Sequence, residues 1–202
     1  MNLQKIFKST YFSISRLLVL GGLAVSVSSC GYNDMVSKQE AVSGAWGQVQ
    51  NVYQRRADLI PNLVNTVKGA ANFEQKTLTD VMEARAKATQ VTLKADDLSP
   101  EKVAQYQQAQ QGLSSALSRL MVVSENYPNL KANQNFLELQ SQLEGTENRI
   151  TVERMKFNET VQDYNTYIQK FPNNLTAKWF DFAKKGYFAA DVASQKAPAV
   201  QF

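Results

Sequence analysis

Beyond Tyr32 the apolar residues of this chain recur at steps of three and four, and proline and glycine are scarce. That spacing collects apolar side chains on one face of a helix, so the pattern predicts an all-α protein with no strands. A first helix is expected over about 36–71, with Trp46, Val49, Tyr53, Ala57, Ile60, Val64, Val67 and Ala71 along its stripe. Pro61 removes one backbone hydrogen bond without breaking the stripe, so a bend between Ala57 and Pro61 is expected rather than an end. Asn72 and Gln75 have the spacing of a capping box and predict the start of a second helix, which carries Leu78, Val81, Met82 and Ala88 and fades near Lys94.

The next start is marked more sharply. Ser99 is suited to cap, Pro100 to the first helical position, and Glu101 to the positive end of the helix dipole. The third helix shows Tyr106, Leu113, Leu117, Leu120 and Met121 on one face, and Tyr127-Pro128-Asn129 ends it, because a residue before proline is pushed out of the helical region. A fourth helix follows a tight turn over about 133–170, with Phe136, Leu143, Ile150, Phe157, Val161, Tyr164 and Ile168 on one side. At 1.5 Å per residue it is a rod of about 55 Å. Phe171-Pro172-Asn173 stops it. The prediction is an elongated antiparallel four-helix bundle over 36–182, followed by a polar tail over 183–202. The aromatic-rich end, Trp179 to Phe182 followed by Tyr187-Phe188, is expected to fold back onto the bundle, with Trp179, Phe180 and Phe182 plugging an open end of its core; a lipid or glycan site at these three is the alternative.

The first 29 residues follow a different logic. Lys5, Lys8 and Arg16 precede an apolar run from Leu17 to Val27, and Ser28-Ser29-Cys30-Gly31 follows it. A basic start, a short apolar stretch and small residues before the only cysteine describe a lipoprotein export signal over 1–29, with Cys30 as the lipidated residue and 30–35 as a tether. The run is shorter than the roughly 20 residues that cross a bilayer, and extending it backwards would bury Arg16. Gly31 rather than Asp after the cysteine favours the outer membrane if the host is Gram-negative, with the protein facing the periplasm.

Composition chiefly excludes. Of 22 basic side chains three lie in the leader, leaving 19 against 18 acidic ones, a balance that offers no concentrated basic surface for nucleic acid. The absence of histidine removes Ser-His-Asp and Cys-His nucleophile systems and His-ligated metals, and one cysteine forms no intramolecular disulfide. No cofactor or metal site is expected.

Two groups of residues invite a functional reading. Arg55 and Arg56, with Asp58 nearby, are suited to an anion or a partner's carboxylate, although a solvated helix face is the preferred reading. Glu147 and Arg154 fall a heptad apart within the apolar stripe of the fourth helix, and Asn62 and Asn65 flank that of the first. The preferred reading is an interior polar layer joining Glu147 or Arg154 to Arg85, which would set helix register; the alternative is a polar-ligand or ion site. Glu144 and Glu147 lie one turn apart on one helix and cannot flank a glycosidic bond from opposite faces. The glutamine-rich stretch 105–111 is expected to be mostly exposed.

Several segments resemble the LemA family in a lipoprotein-anchored form. They are Ala45-Trp46, the run from Arg55 to Val64, Val67-Lys68-Gly69, Ala84-Arg85, the run from Glu125 to Ala132, Glu147-Asn148-Arg149-Ile150, and Tyr164-Asn165 through Phe171-Pro172. Asp181 stands where the resemblance leads one to expect glycine. The resemblance implies a membrane-held helical bundle and supplies no catalytic residues; some relatives are associated with membrane zinc peptidases. The expected role is therefore a non-enzymatic envelope scaffold or adaptor, attached to the membrane through Cys30. It would present a helix face to an envelope protein such as a membrane peptidase system, or to further copies of itself. An enzyme acting on envelope glycan or lipid, and a module binding a polar ligand or ion, are the alternatives.

Overall fold

A computed structural model describes the backbone of residues 3–69 and 73–190, with side chains described from Gly31 onward. The described residues are helical apart from turns and one extended segment. The helices are α1 (Leu3–Lys68), α2 (Gln75–Gln90), α3 (Pro100–Ser124), α4 (Pro128–Lys131), α5 (Gln134–Gln169) and α6 (Asn173–Trp179), with a 3₁₀ turn at Ala95–Asp97. Two compact units share this chain: residues 1–40 with 163–183, and residues 41–162 with 184–202.

The larger unit is a bundle built from the predicted stripes. Ile60, Leu63, Val64 and Val67 of α1 meet Leu78, Val81 and Ala88 of α2, Leu113, Ala116, Leu117 and Leu120 of α3, and Phe136 and Leu143 of α5, with Leu130 of α4 closing the cluster. An aromatic cluster extends the same interior. The Trp46 ring meets Tyr106 edge-on at 5.1 Å, lies 5.6 Å from Phe157 and stacks on Phe188 at 6.0 Å. Its indole N–H donates to the Leu93 carbonyl at 3.0 Å, so the largest buried side chain also has its polar atom satisfied.

Caps and turns explain where the helices begin. Ser99 Oγ accepts from the Lys102 amide with Pro100 in the first turn, as the sequence predicts. Asn133 Oδ1 accepts from the amides of Asn135 and Phe136 and opens α5. The second helix begins later than the capping-box reading placed it. Its N-cap is Glu74, whose carboxylate accepts from the Thr77 hydroxyl at 2.9 Å, and Asn72 lies outside the described residues. The first helix is longer than expected at its start: residues 31–35, expected as a tether, continue α1, and Met35 is buried.

Helix α1 also passes through Pro61. Proline has no N–H, so the carbonyl four residues earlier, at Ala57, loses its helical donor. Arg85 of α2 supplies one: its Nε donates to the Ala57 oxygen at 2.7 Å. A break in one helix is thereby mended by a side chain of its neighbour.

In the smaller unit, Tyr164, Ile168 and Ala177 are buried with Met35. Lys38 pairs with Asp163, the Tyr167 hydroxyl donates to Asp34 at 2.8 Å, and the Tyr164 hydroxyl donates to the Ala183 carbonyl at 3.0 Å. Burial pushes the Tyr164 phenol up to about 12. Helix α6 closes with the Phe182 amide bonded to the Ala177 carbonyl at 2.9 Å, and Asp181 between them has φ 57°. This six-to-one closure requires a left-handed residue, which accounts for the expectation of glycine there; Asp is among the few other residues that tolerate it.

The C-terminal reading needs two corrections. The aromatic plug is not Trp179, which is exposed, but Phe188, which is buried in the larger unit. Residues 184–190, assigned to the polar tail, are an extended strap that belongs to that unit. Polar side chains rather than backbone ladders hold it. Gln107 accepts from the Ala189 amide and donates to its carbonyl, both at 2.9 Å, and Asn158 does the same to Phe188, also at 2.9 Å. A side-chain amide carries one acceptor and two donors, so it can satisfy both polar groups of one residue. Gly186 donates to the Leu98 carbonyl at 2.8 Å, and a Cβ there would lie 2.7 Å from Pro100 Cα, so the strap's close approach requires glycine.

Candidate functional site

The most distinctive chemistry of the larger unit surrounds Arg56. It lies on α1 three residues after Tyr53 and four before Ile60, hence on the buried stripe, and is only 1% exposed. Its neighbour Arg55, about 100° around the helix, is exposed, so the two do not form a paired guanidinium fork. Arg56 Nη1 donates to Ser114 Oγ at 2.8 Å and to Glu147 Oε1 at 2.7 Å. Its Nη2 donates to Gln110 Oε1 at 2.5 Å and, more weakly, to the Gln110 carbonyl at 3.4 Å. The guanidinium carbon sits 5.0 Å from the centre of the Tyr53 ring. One cation on α1 thus binds two residues of α3 and one of α5. The Nε atom is buried and has no partner among the described residues.

A solvent-open cleft of about 420 Å³ borders this network. Tyr53 and Arg56 come from α1, Gln107, Gln110, Gln111, Ser114, Ser115 and Ser118 from α3, and Glu147, Ile150, Thr151 and Arg154 from α5. Glu147 keeps 44% of its side chain exposed at the rim, while Arg56 is at the floor. Arg154 also donates to the Ala189 carbonyl at 2.8 Å and lies over the Phe188 ring, so it ties the strap to the cleft. Burial raises the Tyr106 phenol far above its ordinary value. The amine of Lys185 on the strap is lowered by burial, an effect opposed by Asp96 and Asp97; it donates to the Asp96 carbonyl at 3.1 Å.

The predicted polar layer is therefore only partly assembled. Glu147 and Arg154 share the cleft, but Glu147 pairs with Arg56 rather than with Arg85. Arg85 is committed to the Ala57 carbonyl. Asn62 and Asn65 are exposed, because they fall between Ile60, Leu63, Val64 and Val67 and face away from the core. Glu144 accepts from Gln140 on the surface. In the glutamine-rich stretch, expected to be mostly exposed, Gln105, Gln108 and Gln111 are exposed, whereas Gln107 and Gln110 are buried. Their signal was available: Gln110 stands four residues after Tyr106 and three before Leu113, inside the stripe. Among the described residues no group of three or more carboxylate or thiol side chains is gathered for a metal ion. The Cys30 side chain lies outside those described.

Comparison with known proteins places this architecture. The LemA family model matches residues 45–202, and the chain belongs to the LemA family. It is similar to protein LemA of Metamycoplasma hominis, 23% identical over 158 residues that span 78% of this chain and 68% of that one. It is also similar to magnetosome protein MamQ 2 of Paramagnetospirillum magneticum and magnetosome protein MamQ of Magnetospirillum gryphiswaldense. Each of those is 25% identical over 178 residues, covering 78% of this chain and 64% of the relative. The chain thus spans just under two thirds of the length of the magnetosome relatives.

Proposed function

We propose that this protein is a lipid-anchored component of the bacterial envelope that acts as a non-enzymatic scaffold or adaptor. The observation that carries the reading is the Arg56 network: the most deeply buried charge of the larger unit is committed to holding α1, α3 and α5 in register. Such a group sets the relative positions of surface residues on three helices, which is what a docking body requires. Membership of the LemA family and the similarity to magnetosome proteins support a membrane-associated role. Among the described residues no helix is long and apolar enough to cross a membrane. In this reading attachment comes from acyl chains on Cys30 after removal of residues 1–29. A Gram-negative host would hold the protein at the outer membrane, facing the periplasm, with an envelope protein such as a membrane peptidase system as its partner.

In-cell cross-linking of the full chain, followed by mass spectrometry, tests the role. Links from one helix face to a particular membrane protein would support an adaptor, links only between copies a self-assembling scaffold, and no links beyond random neighbours would overturn both. The mass of the mature N-terminal peptide tests the anchor, and an unmodified Cys30 would overturn it. A second reading is favoured by the unpartnered Arg56 Nε beside an open polar cleft: a small anionic ligand held by Arg56 and Arg154. It predicts thermal stabilisation by such a ligand that is lost in Arg154→Ala.

A further inference from the structure

The smaller unit exposes apolar surface in one short segment. Phe171 is 80% exposed, Leu175 58%, Trp179 87% and Phe180 57%. Leu175 and Trp179 are spaced by four and lie along one line of α6, while Phe171 stands in the turn just before the helix. Large apolar side chains this exposed, four within ten residues, mark an interaction surface rather than ordinary scatter. Exposed Lys170 and Lys178 flank the line.

The position of this segment along the chain identifies what covers it. A Cβ at Gly31 would lie 3.1 Å from Asn173 Oδ1, at the first residue of α6. The ring of Tyr32 packs edge-on against Phe180 at 4.8 Å and against Phe182 at 5.7 Å. Cys30 precedes Gly31 by one peptide, a step of about 3.8 Å. Whatever surface receives acyl chains on Cys30 is therefore brought to α6, whose seven residues extend only about 10 Å. Tryptophan and phenylalanine beside lysine are the side chains that favour the interface between headgroups and acyl chains, with lysine reaching anionic phosphates.

We propose that α6 is an interfacial membrane-contact element, with Phe171, Leu175 and Trp179 inserted among the lipids around the anchored Cys30. The proposal rests on the anchoring reading above. Acyl chains on Cys30 supply the attachment, and the interfacial element adds a second contact beside them. It also replaces a free swivel by a fixed approach, since a helix lying in the interface restricts how the unit that carries it meets the membrane.

The test uses the full chain reconstituted in phosphatidylethanolamine–phosphatidylglycerol vesicles, some containing lipid spin-labelled high on the acyl chain. The chain has two tryptophans, and Trp46 is buried, so subtracting the emission of Trp179→Phe isolates Trp179. At a depth of about 5–10 Å the ring would lie beside the label, and Trp179 emission should fall by roughly half or more. The mass of the N-terminal peptide is read on the same sample. Acylated protein with quenched Trp179 supports both inferences; acylated protein with unquenched Trp179 overturns lipid contact and leaves the anchor standing. Quenching without acylation supports the interfacial element and overturns the anchor, and neither signal overturns both. Trp179 that shifts to the blue but resists the lipid label would identify a protein-covered face and overturn the proposal.

Discussion

If Arg85 mends the gap left by Pro61, its value depends on proline being there. Arg85→Leu removes a 2.7 Å bond from a guanidinium to the carbonyl of Ala57, a residue 3% exposed. A hydrogen bond to a charged group contributes about 1.5–3 kcal/mol, and an unsatisfied buried carbonyl costs a similar amount. Arg85 is itself half-buried and regains some hydration in the unfolded chain, so a loss of about 1.5–2 kcal/mol is expected. For a chain of this size that lowers the unfolding midpoint by roughly 3–8 °C. Pro61→Ala returns an amide to the position that normally donates to Ala57. In that background Arg85→Leu should cost less than about 0.5 kcal/mol, giving a coupling energy near 1–1.5 kcal/mol. The assay is a double-mutant cycle by urea and thermal unfolding of the full chain in mild detergent, followed by far-UV circular dichroism. Equal cost of Arg85→Leu in both backgrounds, within about 0.3 kcal/mol, would refute the reasoning.

Three further outcomes are expected. Arg56→Ala strands Gln110 and Ser114 in the interior and should lower stability by about 2–4 kcal/mol, with Glu147→Ala costing about half of that because its carboxylate is partly hydrated; unchanged calorimetric midpoints in both variants would remove Arg56 as the register-setting group. Gly186→Ala places a methyl group against Pro100 backbone and should release the strap, seen as faster hydrogen exchange at the Phe188 and Ala189 amides; protection equal to that of the parent protein would count against the strap's fixed geometry. Tyr164 keeps its proton up to about 12 when folded, whereas an unfolded phenol ionises near 10, so its stabilisation is present below pH 10 and is lost as pH rises from 10 to 12. Tyr106 acts in the same direction, and Lys185, lowered by burial, acts in the opposite one just below its ordinary 10.5. Tyr164→Phe should flatten the alkaline fall in urea midpoint, and an equally steep fall in the variant would show that the phenol does not contribute.

The helices were legible in the sequence because their causes are local. Steps of three and four bring Ile60, Val64 and Val67 to one side whatever they pack against, and Ser99-Pro100 and Tyr127-Pro128 stop or start a helix through dihedral limits of the residues themselves. The burial of Arg56, read instead as part of a solvated face, was legible in the phase it shares with Tyr53 and Ile60. Its partners were not. Gln110, Ser114 and Glu147 reach it from 54, 58 and 91 residues away, and one turn of relative slip between helices would replace them. Pro61 marks the Ala57 carbonyl as the one without a helical donor, but only tertiary packing decided that Arg85 reaches it rather than Glu147. The strap shows the same division. Residues 184–190 have no period to read, and their conformation comes from Gln107 and Asn158, side-chain amides 82 and 30 residues distant that replace the backbone partners an isolated extended segment lacks.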